Sequence, residues 1–174
     1  MSGAPPLTLA RLNSMNRTGF TTALGFAFEL SPWVVERAWD ARPFASLDAL
    51  HAAMMAGLER SSTADKLALI RAHPELAGKA AIARDLTAES NAEQASAGLD
   101  RLTAEEFERF HALNAAYGAR FGFPFIICVR LNDKASILAA MQARLAHEES
   151  TEIAEALRQI GLISQLRLQD AVTA

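Results

Sequence analysis

The residue whose type and position best suit acid–base chemistry is His73. Pro74 follows it directly, and a proline disfavours helical geometry in the residue before it. The ring is therefore presented from the end of a helix rather than from its side. Imidazole titrates near neutral pH, as a general base requires. The competing role is C-capping, in which a histidine meets the negative end of the helix dipole, and the spacing alone leaves both roles open.

A serine and a glutamate form a second candidate. Ser90 and Glu93 are three residues apart and share one face at the start of a helix that is predicted to begin near Ser90. The ordinary interpretation makes Ser90 the N-cap, with Glu93 completing a capping box, and it explains the pair without any chemistry.

Two further polar residues lie in apolar patterns. Asn114 interrupts an aromatic stripe, which predicts a hydrogen-bonded amide in the core. Arg167 stands between Leu166 and Leu168, where a guanidinium needs either room to reach solvent or an anionic partner.

The sequence carries no motif for a metal or a nucleotide. It has no glycine-rich phosphate loop. His73 and Glu75 have the His-x-Glu spacing of zinc deaminases, but Cys128 is the single cysteine and cannot form the Cys-x-x-Cys that those enzymes need. His147 has no second histidine four residues further on, as a zincin helix requires. Nothing in the sequence supports a metal site.

The elements that must position these residues are helices. Ser46 and Ser62 stand where N-caps are expected, Thr103 and Glu106 are spaced as a capping box, and Gly122 is the expected C-cap of the helix that follows. These signals and the spacing of apolar residues predict about eight helices, including a short piece over residues 76–84.

The predicted fold class is therefore all-α. Residues 123–129 form one apolar, strand-like run, but no partner strand is evident elsewhere, so we expect a buried extended connection. We expect a loose N-terminal arm over residues 1–15 and a single helical domain over residues 16–174.

Charge and hydropathy exclude several kinds of partner. With 17 basic and 20 acidic side chains the formal net charge is −3, so no nucleic-acid partner is expected. The longest apolar run is too short to span a bilayer, so no membrane association is expected. The sequence shows neither a secretory signal nor a peroxisomal Ser-Lys-Leu ending, and it has one cysteine, which together predict a cytoplasmic protein.

Four separated segments resemble the ureidoimidazoline decarboxylases, the 2-oxo-4-hydroxy-4-carboxy-5-ureidoimidazoline (OHCU) decarboxylase family. They are residues 72–79 (AHPELAGK), 90–99 (SNAEQASAGL), 113–126 (from LNAAY to FGFPFI) and 166–168 (LRL). Residues 31–34 and 42–44 also fit, so the resemblance covers about residues 12–170.

Three departures from the family pattern are visible. Glu75 stands where the family more often has aspartate, residues 130–133 replace a glycine-containing turn, and His147 stands near a common asparagine. None of them falls on the residues implied in the chemistry, although the second lies where we expect a loop at the edge of the pocket.

The resemblance implies an all-α enzyme that decarboxylates OHCU to (S)-allantoin, the last step from urate, without a cofactor. By position, it implies His73 and Glu93 as the acid–base pair. The implied substrate-binding residues are Pro74, Ser90, Gln94, Phe125, Ile126 and Arg167, with backbone groups around Phe125 and Ile126 framing the ring. The implied partner is a small-molecule substrate, and the oligomeric state is left open, with a homodimer as the candidate.

Two other classes of function compete with this one. A helical module could hold a purine-derived ligand in the same pocket without turnover, but such a homologue would be expected to have lost His73, Glu93 or Arg167, and all three are present. A helix-turn-helix regulator is disfavoured by the acidic balance and by the lack of a basic recognition helix.

Overall fold

The computed structural model describes residues 6–78 and 85–173, and these ranges are dominated by helices. The elements, in chain order, are β1 (Leu7–Thr8), α1 (Leu9–Ser14), α2 (Arg17–Ala23), α3 (Pro32–Ala38), α4 (Leu47–Glu59), α5 (Thr63–Ala72), α6 (Ala88–Ser96), α7 (Ala104–Phe121), α8 (Lys134–Arg144), α9 (Glu149–Ala171) and β2 (Val172–Thr173). Short 3-10 helices cover Trp39–Ala41 and Val129–Leu131. The predicted all-α class is confirmed.

The chain forms two compact units. Unit 1 contains the chain up to Lys66 and from Gly161 onward, and unit 2 contains Leu67–Ile160. The chain passes from one unit to the other within α5 and again within α9. The single domain expected over residues 16–174 stays a prediction.

Unit 1 is built on α3, which packs against α2 and α4. Its core contains Phe20, Leu24, Phe28, Val34, Val35, Leu50, Met54 and Leu58. Helix α2 ends at Ala23, before the glycine at position 25, although the apolar spacing runs on to Phe28. Leu24 and Phe28 are buried all the same, on the turns that follow the helix.

The N-terminal segment differs from the loose arm predicted for residues 1–15. Thr8 caps α1, with its Oγ1 accepting the Arg11 N–H at 3.2 Å, and Leu12 is fully buried. β1 pairs with β2 in parallel, as the one strand pair within the described ranges. A six-residue helix is too short to show a periodic apolar face, which is why the pattern did not indicate it. Residues 1–5 lie outside the described residues.

Unit 2 is built on the aromatic face of α7. Tyr117 contacts Phe121, Phe123 and Phe125, with ring centroids 4.6, 6.0 and 5.3 Å away. The apolar run of residues 123–129 is buried and, within the described part of the chain, pairs with no strand, as predicted.

The helix boundaries of unit 2 follow the capping signals. Thr103 and Glu106 form the predicted capping box, and Gly122 takes a left-handed φ of 72° as the C-cap of α7. Asp133, in the segment that departs from the family pattern, caps α8. In the helical piece predicted over residues 76–84, residues 76 and 77 form a turn and residues 79–84 lie outside the described residues.

Candidate active site

His73 lies directly after α5 and is 9% exposed. Its ring Nδ1 is 2.9 Å from the carbonyl oxygen of Leu69, one turn back along the helix. Because a carbonyl oxygen only accepts, Nδ1 carries the hydrogen, and Nε2 holds the lone pair of the neutral ring. The C-capping role left open by the sequence is therefore realised, and it fixes the tautomer that offers Nε2 as a base.

The loop that follows His73 is bonded to α6 through Gln94. The Oε1 of Gln94 accepts the Ala77 N–H at 2.9 Å, and its Nε2 donates to the Glu75 carbonyl at 3.4 Å. Ala77 has a φ of 52°, a left-handed conformation that is uncommon for a residue with a side chain. Gln94, which the resemblance assigns to substrate binding, thus also shapes the loop that carries His73.

Helix α7 holds the same loop through Asn114. Its Nδ2 donates to the Leu76 carbonyl at 2.8 Å, which confirms the predicted core amide. Its Oδ1 is buried and has no hydrogen-bond partner among the described residues. The sequence pattern did not connect Asn114 with His73, because the bond joins residues 38 positions apart.

Helix α6 begins earlier than predicted. Thr87 is the N-cap, and its Oγ1 accepts the Ser90 N–H at 3.3 Å. The helix starts at Ala88, two residues before Ser90. The capping-box interpretation of Ser90 and Glu93 is therefore wrong, because the N-cap is Thr87, and threonine is also a good N-cap. Ser90 lies inside the first turn and is 5% exposed.

Ser90, Glu93 and Gln94 form one face of α6, since residues three and four apart are neighbours on a helix. Ser90 and Gln94 are buried, and Glu93 is half-buried beside Ser90. A serine hydroxyl, a carboxylate and an amide are thereby placed side by side on one helix face, and the amide is the group bonded to the His73 loop.

Glu93 also lies close to the framing segment, as we name residues 125–128. Helix α6 packs against the 3-10 helix Val129–Leu131, which directly follows this segment. Burial raises the pKa of the Cys128 thiol, and the negative charge of Glu93 adds to that rise. Unit 2 therefore brings together the His73 loop, the polar face of α6 and the framing segment.

Two polar side chains form hydrogen bonds with the backbone of the framing segment. Arg144 donates from Nη1 to the Ile126 carbonyl at 2.8 Å, and its guanidinium lies 4.2 Å from the centre of the Phe125 ring. Gln159 accepts the Cys128 N–H at 2.8 Å. Phe125 and Ile126, both assigned to the site by the resemblance, are buried. Neither Arg144 nor Gln159 was singled out from the sequence.

Arg167 belongs to unit 1 and has an acidic partner there. Both Nη1 and Nη2 lie 3.3 Å from Oε2 of Glu29, and Nη1 donates to the Phe26 carbonyl at 3.0 Å. Arg167 is 5% exposed and Glu29 is 4% exposed. Of the two explanations offered for a guanidinium among leucines, the structure shows the anionic partner, and sequence reasoning missed Glu29.

The position of Pro74 is described, whereas the bond predicted between His73 and Glu93 is not tested. Pro74 is half-buried at the start of the His73 loop, directly after α5. A direct or water-mediated bond between His73 and Glu93 stays a prediction.

Within residues 6–78 and 85–173, no three His, Cys, Asp or Glu side chains are grouped so that they could hold a metal ion. A separate cleft of about 340 Å³ in unit 1, beside Arg37 and Asp65, is lined by none of the predicted site residues.

Comparison with known proteins gives a consistent assignment. A family model described as OHCU decarboxylase matches residues 13–169. A 2-oxo-4-hydroxy-4-carboxy-5-ureidoimidazoline decarboxylase from Haloferax volcanii is 43% identical over 164 residues, which is 94% of this chain and 95% of the relative. One of the same name from Amia calva is 38% identical over 166 residues, 95% of each chain.

A solved structure shares the fold. The crystal structure of an (S)-allantoin synthase has a TM-score of 0.75 and 32% sequence identity, and it matches 97% of this chain. This chain spans about half of that protein, 54% of its length.

The protein is small and all-helical. Its candidate site combines His73, the face of α6 that carries Glu93, and the buried framing segment. The chain belongs to the OHCU decarboxylase family.

Proposed function

We propose that this chain catalyses the decarboxylation of 2-oxo-4-hydroxy-4-carboxy-5-ureidoimidazoline to (S)-allantoin in urate degradation, without a cofactor. It is a carboxy-lyase whose substrate is a small anionic heterocycle. The observation that carries this function is the loop bearing His73, tied by Gln94 to the helix that presents Ser90 and Glu93, in a chain that matches a decarboxylase over nearly the full length of both.

The substrate itself explains why no cofactor is needed. One ring carbon bears both the carboxylate and a hydroxyl, and the neighbouring ring carbon bears the ureido group and a C=N bond. When the bond to the carboxylate breaks, carbon dioxide leaves and the electron pair enters that C=N system. The hydroxyl loses its proton as its carbon becomes the carbonyl of allantoin, the ureido-bearing carbon gains a proton, and the ring nitrogen that received the electron pair takes up one further proton from solvent.

The protein must therefore move protons at two positions and hold an anion. His73 offers Nε2 as the base, since its Nδ1–H is engaged by the Leu69 carbonyl. Glu93 supports the imidazolium once it forms, because a carboxylate favours the charged ring.

The binding roles follow the family positions. Ser90, Gln94 and Arg167 hold polar groups of the substrate. Pro74, directly after His73, lies beside the substrate. The backbone at Phe125 and Ile126 frames the ring. In Gln94 one amide N–H is engaged by Glu75, so the second is the group assigned to the substrate. The support for Arg167 is its place in the matching segment 166–168 together with its planar fork, which suits a carboxylate or a ureido carbonyl.

Two properties of the intact protein are also proposed. None of the helices in the described part of the chain is long and apolar enough to cross a membrane. A cytoplasmic location is proposed from the single cysteine, which suits a reducing compartment, and is tested by fractionation of the native cells. A homodimer is the candidate oligomeric state, and light scattering on the purified chain tests it.

The function is tested on substrate made from urate in the cuvette by urate oxidase and hydroxyisourate hydrolase. Adding this protein should speed the decay of the ureidoimidazoline absorbance in proportion to protein concentration, with one carbon dioxide released per substrate. A decay rate equal to that of the buffer control would contradict the proposed activity and would favour the non-catalytic binding module.

A further inference from the structure

A buried cluster of polar side chains contacts the framing segment through Arg144, and the proposed mechanism does not use it. Glu152 on α9 is fully buried, with 0% exposure, and receives hydrogen bonds from three side chains. Tyr117 donates from its hydroxyl, Arg144 from Nε and Nη2 at 2.9–3.1 Å, and His147 lies with its Nδ1 2.7 Å from Oε1. We name these four residues the Glu152 cluster.

The charge state of the Glu152 cluster is fixed by these bonds. Burial alone raises the pKa of Glu152, but the bonds from Arg144, Tyr117 and His147 outweigh it and keep that pKa below its usual value. Burial and the neighbouring Glu152 carboxylate raise the pKa of Tyr117, so its hydroxyl stays a donor. The cluster therefore holds an ionised carboxylate–guanidinium pair inside unit 2 at neutral pH.

Stability alone does not explain such a pair. Replacing a buried ion pair by apolar residues of similar volume is often neutral or stabilising, because two charges lose their hydration on burial. What a carboxylate gives a guanidinium is a fixed orientation, since the planar fork binds it through two parallel hydrogen bonds.

That orientation points the remaining nitrogen of Arg144 at the framing segment. Nε and Nη2 face Glu152, and Nη1 donates to the Ile126 carbonyl at 2.8 Å. The same guanidinium covers the Phe125 ring at 4.2 Å. One side chain thus fixes both a peptide group and an aromatic ring of the segment.

A second contact reinforces the first on the same segment. Gln159 accepts the Cys128 N–H at 2.8 Å, and its own amide nitrogen donates to Glu155 at 2.8 Å. The Arg158 hydrogen bonds to Glu155 lower the pKa of that carboxyl to about 2. The Ile126 carbonyl and the Cys128 N–H are two residues apart, so along an extended segment they lie on the same edge. Along the same extended segment the Phe125 carbonyl and the Ile127 N–H lie on the opposite edge.

We infer that Arg144, oriented by the Glu152 cluster, is a positioning residue that sets the backbone of Phe125 and Ile126 for substrate binding. This inference rests on the proposed function, because the segment frames the substrate only if the chain binds the ureidoimidazoline. Arg144 acts on binding and not on proton transfer, so it affects the substrate and the transition state alike.

The test is steady-state kinetics of Arg144→Lys, with Arg109→Lys as the matched control on an exposed surface of α7. A lysine keeps the charge beside Glu152 but cannot donate to the carboxylate and to Ile126 in one fixed plane. KM should rise by about tenfold with kcat within about threefold of wild type, the pattern expected when uniform binding is lost. A KM equal to that of Arg109→Lys would overturn the inference.

A milder variant keeps the test decisive if Arg144→Lys does not fold. Tyr117→Phe removes one donor from Glu152 and leaves the ring packing in place. We expect about a threefold rise in KM, with a displaced amide signal of Ile127 in the ¹⁵N spectrum. Lowered thermal stability with unchanged KM and an unmoved Ile127 signal would show a purely structural cluster. Inactive wild-type protein would instead refute the proposed function, so the two failures are distinct.

Discussion

Gln94 bonds the backbone of Ala77 in its left-handed turn, with Oε1 2.9 Å from the Ala77 nitrogen. The two residues come from different elements, a helix and the loop after His73. The same amide also reaches the Glu75 carbonyl. The position of His73 relative to α6 therefore depends on one side chain that local helix propensity does not require.

Removing that side chain should cost both stability and activity. Gln94→Leu leaves a buried N–H without its acceptor, which lowers the free energy of unfolding by about 1–3 kcal/mol. Decarboxylase activity should fall as the His73 loop loosens. Chemical denaturation and the coupled urate assay measure the two effects, with Gln142→Leu on the exposed face of α8 as control. Wild-type values for Gln94→Leu would show that the loop keeps its position without Gln94, through its remaining contacts such as the one with Asn114.

The acid–base pair gives a prediction about rate alone. His73→Asn and Glu93→Gln should each lower kcat by ~10²–10⁴-fold, because each removes one member of a proton-transfer pair. Helicity and melting temperature should stay near wild type in Glu93→Gln. His111→Asn and Glu108→Gln, on exposed positions of α7, are the matched controls. Full turnover by His73→Asn would leave His73 as a helix cap and nothing more.

Much of the fold could be predicted because its signals are local. The capping box of Thr103 and Glu106, the C-cap at Gly122 and the apolar stripe of α7 each depend on neighbours within four residues. Where two good caps stand close together, as Thr87 and Ser90 do, the local pattern does not decide between them.

The contacts between residues far apart in the sequence could not be predicted in the same way. Asn114 reaches Leu76 across 38 residues, and Arg167 reaches Glu29 across 138. Such partners are set by how helices pack, which the spacing of apolar residues does not specify. The segment resemblance located His73 and Glu93, but it carried no information on the Glu152 cluster behind the framing segment.

Arg167 and Glu29 give a prediction that separates stability from binding. Arg167→Met leaves the buried Glu29 carboxylate without this guanidinium and should lower the free energy of unfolding by about 3–5 kcal/mol. Arg167→Lys keeps a cation beside Glu29 and should fold, with a raised KM because the planar fork is lost. An unchanged KM for Arg167→Lys would show that Arg167 pairs with Glu29 and does not bind the substrate.

The pH dependence of stability follows from Glu152. Its pKa in the folded protein lies below the usual 4.5, so the unfolded chain binds that proton more readily. The stabilisation from this group is therefore present above about pH 4.5 and is lost as the pH falls through the folded-state pKa. Urea unfolding between roughly pH 3 and 6 should show a smaller acid loss in Glu152→Gln than in wild type. Identical slopes would contradict the lowered pKa.

Chelation tests the absence of a metal in the mechanism. Because the substrate ring accepts the electrons itself, activity should be unchanged after exhaustive dialysis against EDTA. Elemental analysis of the dialysed protein provides the comparison. Activity that disappears with a stoichiometric metal and returns on its addition would contradict a mechanism carried by side chains alone.

The handedness of the product tests the central claim most directly. Uncatalysed decay protonates the ureido-bearing carbon from either face and gives allantoin without optical activity, whereas a site built around His73 and Glu93 delivers the proton to one face. With substrate generated from urate, circular dichroism should show (S)-allantoin appearing at a rate proportional to the protein, and His73→Asn should abolish the signal. Racemic allantoin from the wild-type protein, at the rate of the buffer control, would contradict the account.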